Sequence, residues 1–230
     1  MAQYLGGSAA IGNAATGDRD MRWVRNFAIF SGLLLANLAA NVSTAPAIEM
    51  SREMADFYAS GTVPPPTGSE MSVCYGFGCR LRTFLYFTPG DRSALTAILA
   101  KGAASPDAER KAVQQAVIWF DKRMGPVIGT SRRVALADFR AGDDAHNFDC
   151  LDTTRNTMSL LLVLSEWKLL RHHTVGNPQF RGNILVGQTP HNTAVLVDRQ
   201  TRVAWVVDMW PTGYAKLPDV MTLERWKSEK

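Results

Sequence analysis

Apolar residues between positions 105 and 126 recur at the spacing of one helix face: Ala112, Ala116, Val117, Phe120 and Met124. Ser105 can cap that helix, Pro106 fits its first turn, and Asp107 and Glu109 suit the positive end of its dipole. Gly125-Pro126 is expected to stop it. The run 151–170 is denser. It carries Met158, Leu161, Leu162, Leu164, Trp167, Leu169 and Leu170, which predicts a buried helix. Between the two, "TSRRVALADFRAGDDAHNFD" (130–149) reads as a polar loop. After them "HHTV" (172–175) begins a strand, and "NPQFRGN" (177–183) reads as a turn. "HNTAVLVD" (191–198) and "RVAWVVDMW" (202–210) read as two strands of a hairpin around "RQT".

The first half adds three elements. "IEMSREMADFYAS" (48–60) is a short helix or a loosely held arm, closed by the Pro/Gly linker "GTVPPPTG". "RLRTFLYF" (80–87) is extended, and "DRSALTAILA" (91–100) is a short amphipathic helix. At the other end, 211–220 is read as a loop and "MTLERWKS" as a terminal segment. Helices first, then a central helix and a hairpin, make an α+β pattern with an antiparallel sheet.

"MRWVRNFAIFSGLLLANLAANVSTAPA" (21–47) has a basic start, an apolar run and small residues ending in Ala45-Pro46-Ala47. That is the pattern of a secretory signal peptide, cleaved near Ala47. The apolar run is short for a spanning helix, and Asn37 and Asn41 weaken it further. Membrane attachment follows only if this leader stays uncleaved. Residues 1–20, Gly/Ala-rich and unpatterned, are read as a start-site artefact or a disordered tail. The expected organisation is an arm and Pro-rich linker over 48–68 and one domain over 69–230.

Composition changes this picture little. The chain is 46% hydrophobic and 20% charged, as ordinary globular domains are. Its net charge of +4 comes without a Lys/Arg block or a basic-aromatic stripe. "SRRV" (131–134) is the densest basic spot, read as a solvated face, so nucleic-acid binding has no specific support. The three cysteines say more. Export implies an oxidising compartment. Cys74 and Cys79, with two glycines between them, suit a short disulfide that pins a turn. Cys150 is left over, as a reactive thiol, an intermolecular partner or a buried inert residue.

Cys150 stands at a predicted helix start, where a positive partial charge and free N–H groups favour a thiolate and can hold an oxyanion. Its nucleophile role needs a base and an orienter. His191 opens the first hairpin strand, and Asp208 lies near the end of the second. With 199–201 as the turn, position 191 pairs with about 209, so imidazole and carboxylate are neighbours at one end of the sheet. Trp210 shares the face of Asp208 and either shields the pair or joins the core. Asn147, upstream of the cysteine, is the candidate second oxyanion donor. His172 and His173 point to opposite faces of a strand, so no metal is assigned to them.

Cys, then His on a strand, then Asp on the next strand, resembles the transglutaminase-like and papain-like cysteine peptidase superfamily. More narrowly, the chain resembles the bacterial transglutaminase-like cysteine proteinases. "FDCLDTTRNT", "PHNTAVLVD" and "WVVDMW" carry the resemblance, which covers about residues 105–226. It implies helices packed on a small antiparallel sheet, with the nucleophile at the N-terminus of the central helix. It also implies thiol acyl transfer on a peptide bond or glutamine amide of a protein or peptide substrate, in the periplasm or outside the cell. Better-known members need calcium. Here Asp143, Asp144, Asp149 and Asp152 neighbour Cys150 but spell no calcium loop, so no cofactor is assigned. Asp149 and Asp152 oppose a thiolate at close range unless they cap the helix or bind a partner. The alternative reading is a non-catalytic exported binding or envelope-associated module of the same fold, with Cys150 as a core residue.

Overall fold

A computed structural model describes residues 48–137, 140, 142, 144–183, 185 and 187–229. The leader, its cleavage point and Asp143 lie outside the described residues. The elements run α1 (Arg52–Ser60), β1 (Glu70–Tyr75), β2 (Leu81–Tyr86), α2 (Pro89–Ala100), α3 (Pro106–Ile128), α4 (Cys150–Glu166), β3 (His173–Arg181), β4 (His191–Asp198), β5 (Ala204–Asp208), β6 (Asp219–Thr222) and α5 (Leu223–Ser228). The fold is α+β. β1 and β2 form an antiparallel hairpin, and β3-β4-β5-β6 form a four-stranded antiparallel sheet in sequence order.

α4 organises the core. From Asp152 to Leu164 every residue is buried, polar ones included. Its apolar side chains pack on the sheet face that carries Ala194, Leu196, Val207 and Met209. Its polar ones find partners, as buried polar groups must. Ser159 bonds the hydroxyl of Tyr58 at 2.8 Å. Asn156 acts as a surrogate strand for β1: its Oδ1 accepts from the Cys74 N–H at 2.7 Å, and its Nδ2 donates to the Cys74 carbonyl at 2.8 Å. Asn156→Leu therefore leaves a buried N–H and C=O without partners. A loss of about 2–3 kcal/mol is expected from urea unfolding midpoints.

Of the two readings of 48–60 the short helix holds: α1 packs Met54 and Tyr58 into the main core. Two expectations change. α3 passes through Gly125-Pro126 and ends at Gly129, whose φ of 78° supplies the left-handed cap. Met124 and Ile128, both buried one turn apart, anchor that last turn against the cost of Pro126. Residues 177–181 are strand rather than turn. A register shift between Gly176 and Gln179 absorbs Asn177-Pro178 and lets β3 run on to Arg181.

The far face of the sheet is closed by a strand and a helix where the sequence suggests the end of a loop and a terminal segment. β6 pairs with β5, and α5 lays Trp226 against Val195 and Val206. Among the described residues no helix is long and apolar enough to cross a membrane.

Candidate functional site

β4 and β5 pair Ala194 with Val207 and Leu196 with Trp205. Carried to the end of β4, that register sets His191 opposite Trp210, one residue beyond the expected position. The difference matters. A partner at 209 would have turned Asp208 to the opposite face, whereas a partner at 210 puts Asp208 on the face of His191. The two side chains meet there: His191 Nε2 lies 2.5 Å from Asp208 Oδ2. Both residues are 2% exposed.

The surroundings fix the protons. Asp208 Oδ2 also accepts from Trp226 Nε1 at 2.9 Å, and Oδ1 accepts from the Trp210 backbone N–H at 3.2 Å. A carboxylate surrounded by donors takes a proton-bearing nitrogen as its third partner, so Nε2 carries the imidazole hydrogen. Nδ1 is then the bare nitrogen. It is buried and has no hydrogen-bond partner. The rings of Trp210 and Trp226 lie 4.5 and 5.4 Å from the imidazole. Trp210 thus covers the pair, one of the two roles weighed for it. Trp226 is a site residue that no local pattern announced, because its placement needs β6 and α5.

Cys150 is the first residue of α4. Asp149 is the N-cap, in a reciprocal capping box with Asp152. The helix thus brings the thiol to the end of β4. Sγ lies 3.8 Å from Asn192 Nδ2 and 3.9 Å from the Pro190 carbonyl, on the two chain neighbours of His191. The structure brings Cys150, His191 and Asp208 to one end of the sheet. The His–Asp hydrogen bond is made; a Cys–His one is not. The thiol does not have the lowered pKa that its helix position led us to expect. Burial pushes it above its ordinary value, the N–H groups of Asn192 pull it back, and the charges of Asp149 and Asp208 push it up again.

Asn147 does not reach for the thiol. Its Oδ1 accepts from the Val134 N–H and its Nδ2 donates to Asp144, so its amide ties the 130–149 loop together. Asn192 is the side-chain donor beside Sγ. A polar residue next to a strand histidine was its only signal in the sequence. A cleft of about 820 Å³ opens beside His191 and Trp210, with Arg181, Gln188, Lys227 and Glu229 among its walls. Cys150 is not one of them.

The described acids near the thiol are held by the protein's own donors. Asp149 accepts from the N–H groups of Asp152 and Gly78, and Asp152 from those of Phe77, Cys79 and Asp149. Asp144 is taken by His146 and Asn147. Cys74, Cys79 and Asp152 lie within 4.8 Å of one another, but the two sulfurs are joined as a disulfide. His173 is paired with buried Glu109, and His172 meets the Ala103 carbonyl.

No protein-family model, curated protein or solved structure matches the chain.

Proposed function

We propose that this chain is an exported thiol acyl-transfer enzyme of the papain-like and transglutaminase-like kind, most simply a cysteine protease. The observation that carries the reading is His191. Its Nε2 is committed to Asp208, and its buried Nδ1 is left as a base without a partner. Cys150 stands at a helix N-terminus against both neighbours of that histidine.

The chemistry follows. Nδ1 of His191 takes the thiol proton, and Sγ attacks the carbonyl carbon of the scissile amide. The oxyanion is held by the Cys150 backbone N–H, with Asn192 as the side-chain donor. The C–N bond breaks, the imidazolium returns its proton to the leaving amine, and a thioester remains. Water, deprotonated by the same imidazole, hydrolyses the thioester; an amine in its place would make a crosslink. Asp208 holds the tautomer and stabilises the imidazolium. The mechanism requires Sγ and Nδ1 to close to hydrogen-bond distance, a tightening that substrate-free sites commonly leave undone. The Cys74–Cys79 disulfide supports an oxidising compartment, in keeping with the leader-like segment.

The test is the rate of Cys150 alkylation by iodoacetamide against pH, in the wild type and in His191→Ala. Under the proposal the wild-type rate reaches a plateau below the ordinary thiol range, and the variant's rises only above about pH 8. Identical profiles for the two proteins would overturn it. A raised thiol unbonded to His191 favours a second reading, an exported binding module of the same fold. Under that reading both profiles rise only above about pH 8.

A further inference from the structure

Four consecutive residues, Gly76, Phe77, Gly78 and Cys79, have φ of 74°, 67°, 63° and 60°. Glycine adopts this region freely; Phe77 and Cys79 do so only under strain. Something must hold them there. One restraint is the disulfide from Cys79 back to Cys74 at the end of β1. The others are carboxylates. Phe77 N–H donates to Asp152 Oδ2 at 2.8 Å, Cys79 N–H to Asp152 Oδ1 at 2.6 Å and Gly78 N–H to Asp149 Oδ2 at 2.7 Å. Successive N–H groups converging in this way make a concave anion-binding nest. Here the anions are the two carboxylates that flank Cys150.

We propose that the disulfide-closed loop 74–79 is a positioning device for Cys150: its N–H groups partly offset the charges of Asp149 and Asp152, so that the start of α4 can carry a thiolate between two acids.

The charge arrangement supports this. A plain helix cap needs one carboxylate and leaves its second oxygen to water. Here all four carboxylate oxygens accept backbone N–H groups: two donors from the helix's own first turn and cap, three from the loop. Asp152 is fully buried, and burial together with Asp149 pushes its carboxyl up to about 7. The N–H groups of Cys79 and Phe77 pull that carboxyl back down, so the loop favours the charged acid while its dipoles offset that charge at the thiol. Other charged groups around the thiol are Asp208, which also raises it, and His191, between the two residues that touch Sγ. Arg155, one turn along α4, faces the two acids rather than the thiol. Phe57 O and Ser60 Oγ are its own partners. The loop is therefore the element that removing one disulfide would detach from the thiol's electrostatics.

The inference adds a positioning role to the acyl-transfer reading, but its test does not depend on that reading. The full chain is compared with Cys74→Ser/Cys79→Ser, in which Cys150 is the one remaining thiol. Asp149→Asn, which removes the charge but can still cap, is placed in each background. The readout is the pH midpoint of Cys150 alkylation, alongside urea unfolding. Opening the loop is expected to raise the midpoint by about one unit. Asp149→Asn is expected to lower it by about one unit with the loop open and by only a few tenths with it closed. Loss of stability with an unchanged midpoint, or an equal Asp149→Asn shift in both backgrounds, overturns the proposal. If the opened variant does not fold, the closed background decides alone: a full-unit drop there means that the loop does not screen Asp149. A wild-type midpoint above the ordinary thiol range would sink the enzyme reading and still leave these differences readable.

Discussion

Glu109→Ala should destabilise the protein by about 4 kcal/mol at neutral pH, among the largest single-residue losses expected here. Glu109 is 1% exposed on α3, where the sequence suggests only a place at the positive end of the helix dipole. Its carboxylate accepts from the backbone N–H groups of Arg171, His172 and His173 in succession, and from His173 Nδ1 at 2.8 Å. It thereby anchors the start of β3 to α3. Removing it orphans donors around His173, which is 0% exposed, and each buried orphan costs about 1–3 kcal/mol. Glu109→Gln retains one acceptor oxygen and should lose about half as much. The pH dependence has a definite sign. Burial pushes the Glu109 carboxyl up, but His173 and the N–H groups of Arg171 and His172 outweigh it and hold the carboxyl below its ordinary value. A depressed carboxyl contributes stability that is complete above its unfolded value, about 4.3, and is lost as pH falls through the folded one. Urea unfolding of wild type and Glu109→Ala should therefore differ most at pH 7, and the gap should narrow below about pH 4. A gap that does not narrow on acidification would mean that packing, not the carboxylate, anchors β3.

What the sequence made legible, and what it hid, divides by range. The apolar stripe Ala112–Met124 and the run after Cys150 mark their helices because both signals are local. The second helix ends at Glu166, short of Trp167, Leu169 and Leu170, and of the two sets only Leu169 is not fully buried. The β4–β5 hairpin follows from alternation and a short turn, and with it the meeting of His191 and Asp208. Its register was one residue off, which a turn of uncertain length allows. The rest of the site depends on chain returning from far away. Trp226 reaches Asp208 because β6 adds to β5, and "MTLERWKS" has no strand signal strong enough to foretell that. Asn192 faces Cys150 only because α4 lies against β4. The acids beside Cys150 looked hostile to a thiolate, and the loop that answers them lies more than 70 residues earlier. Pairing at such distances is set by topology, which periodicity does not encode.

Arg133→Met should cost about 3–5 kcal/mol, the usual result of breaking a buried ion pair from one side. "SRRV" was read as a solvated basic face, and Arg132 is exposed, but the side chain of Arg133 is 1% exposed and that of Asp121 is 2% exposed. Arg133 Nη2 bonds Asp121 Oδ2 at 2.7 Å and also reaches the Gly213 carbonyl; Nη1 donates to the carbonyls of Thr212 and Met209. One guanidinium thus joins α3, the 130–137 loop and the chain just past Asp208. Asp121 accepts as well from the Ala215 N–H. The pair is imperfect: Asp121 Oδ1 and Arg133 Nε are buried without partners. Burial raises the Asp121 carboxyl even though Arg133 pulls it down. An acid raised in the fold binds its proton more tightly there than in the unfolded chain, so protonation favours folding. In Arg133→Met the downward pull is gone, the carboxyl rises further, and lowering the pH relieves the stranded charge. The variant's deficit in urea should accordingly be largest near pH 7 and shrink towards pH 5, with Asp121→Asn/Arg133→Met recovering part of it. A deficit independent of pH, with no recovery in the double variant, would mean that the lost carbonyl bonds to Thr212 and Gly213 outweigh the charge. The same substitution bears on the site, because β5 leads into this junction directly after Asp208. A junction loosened at residues 209–213 removes the support behind the Trp210 N–H that Asp208 Oδ1 accepts. Alkylation of Cys150 in folded Arg133→Met should then lose any dependence on His191 that the wild type has.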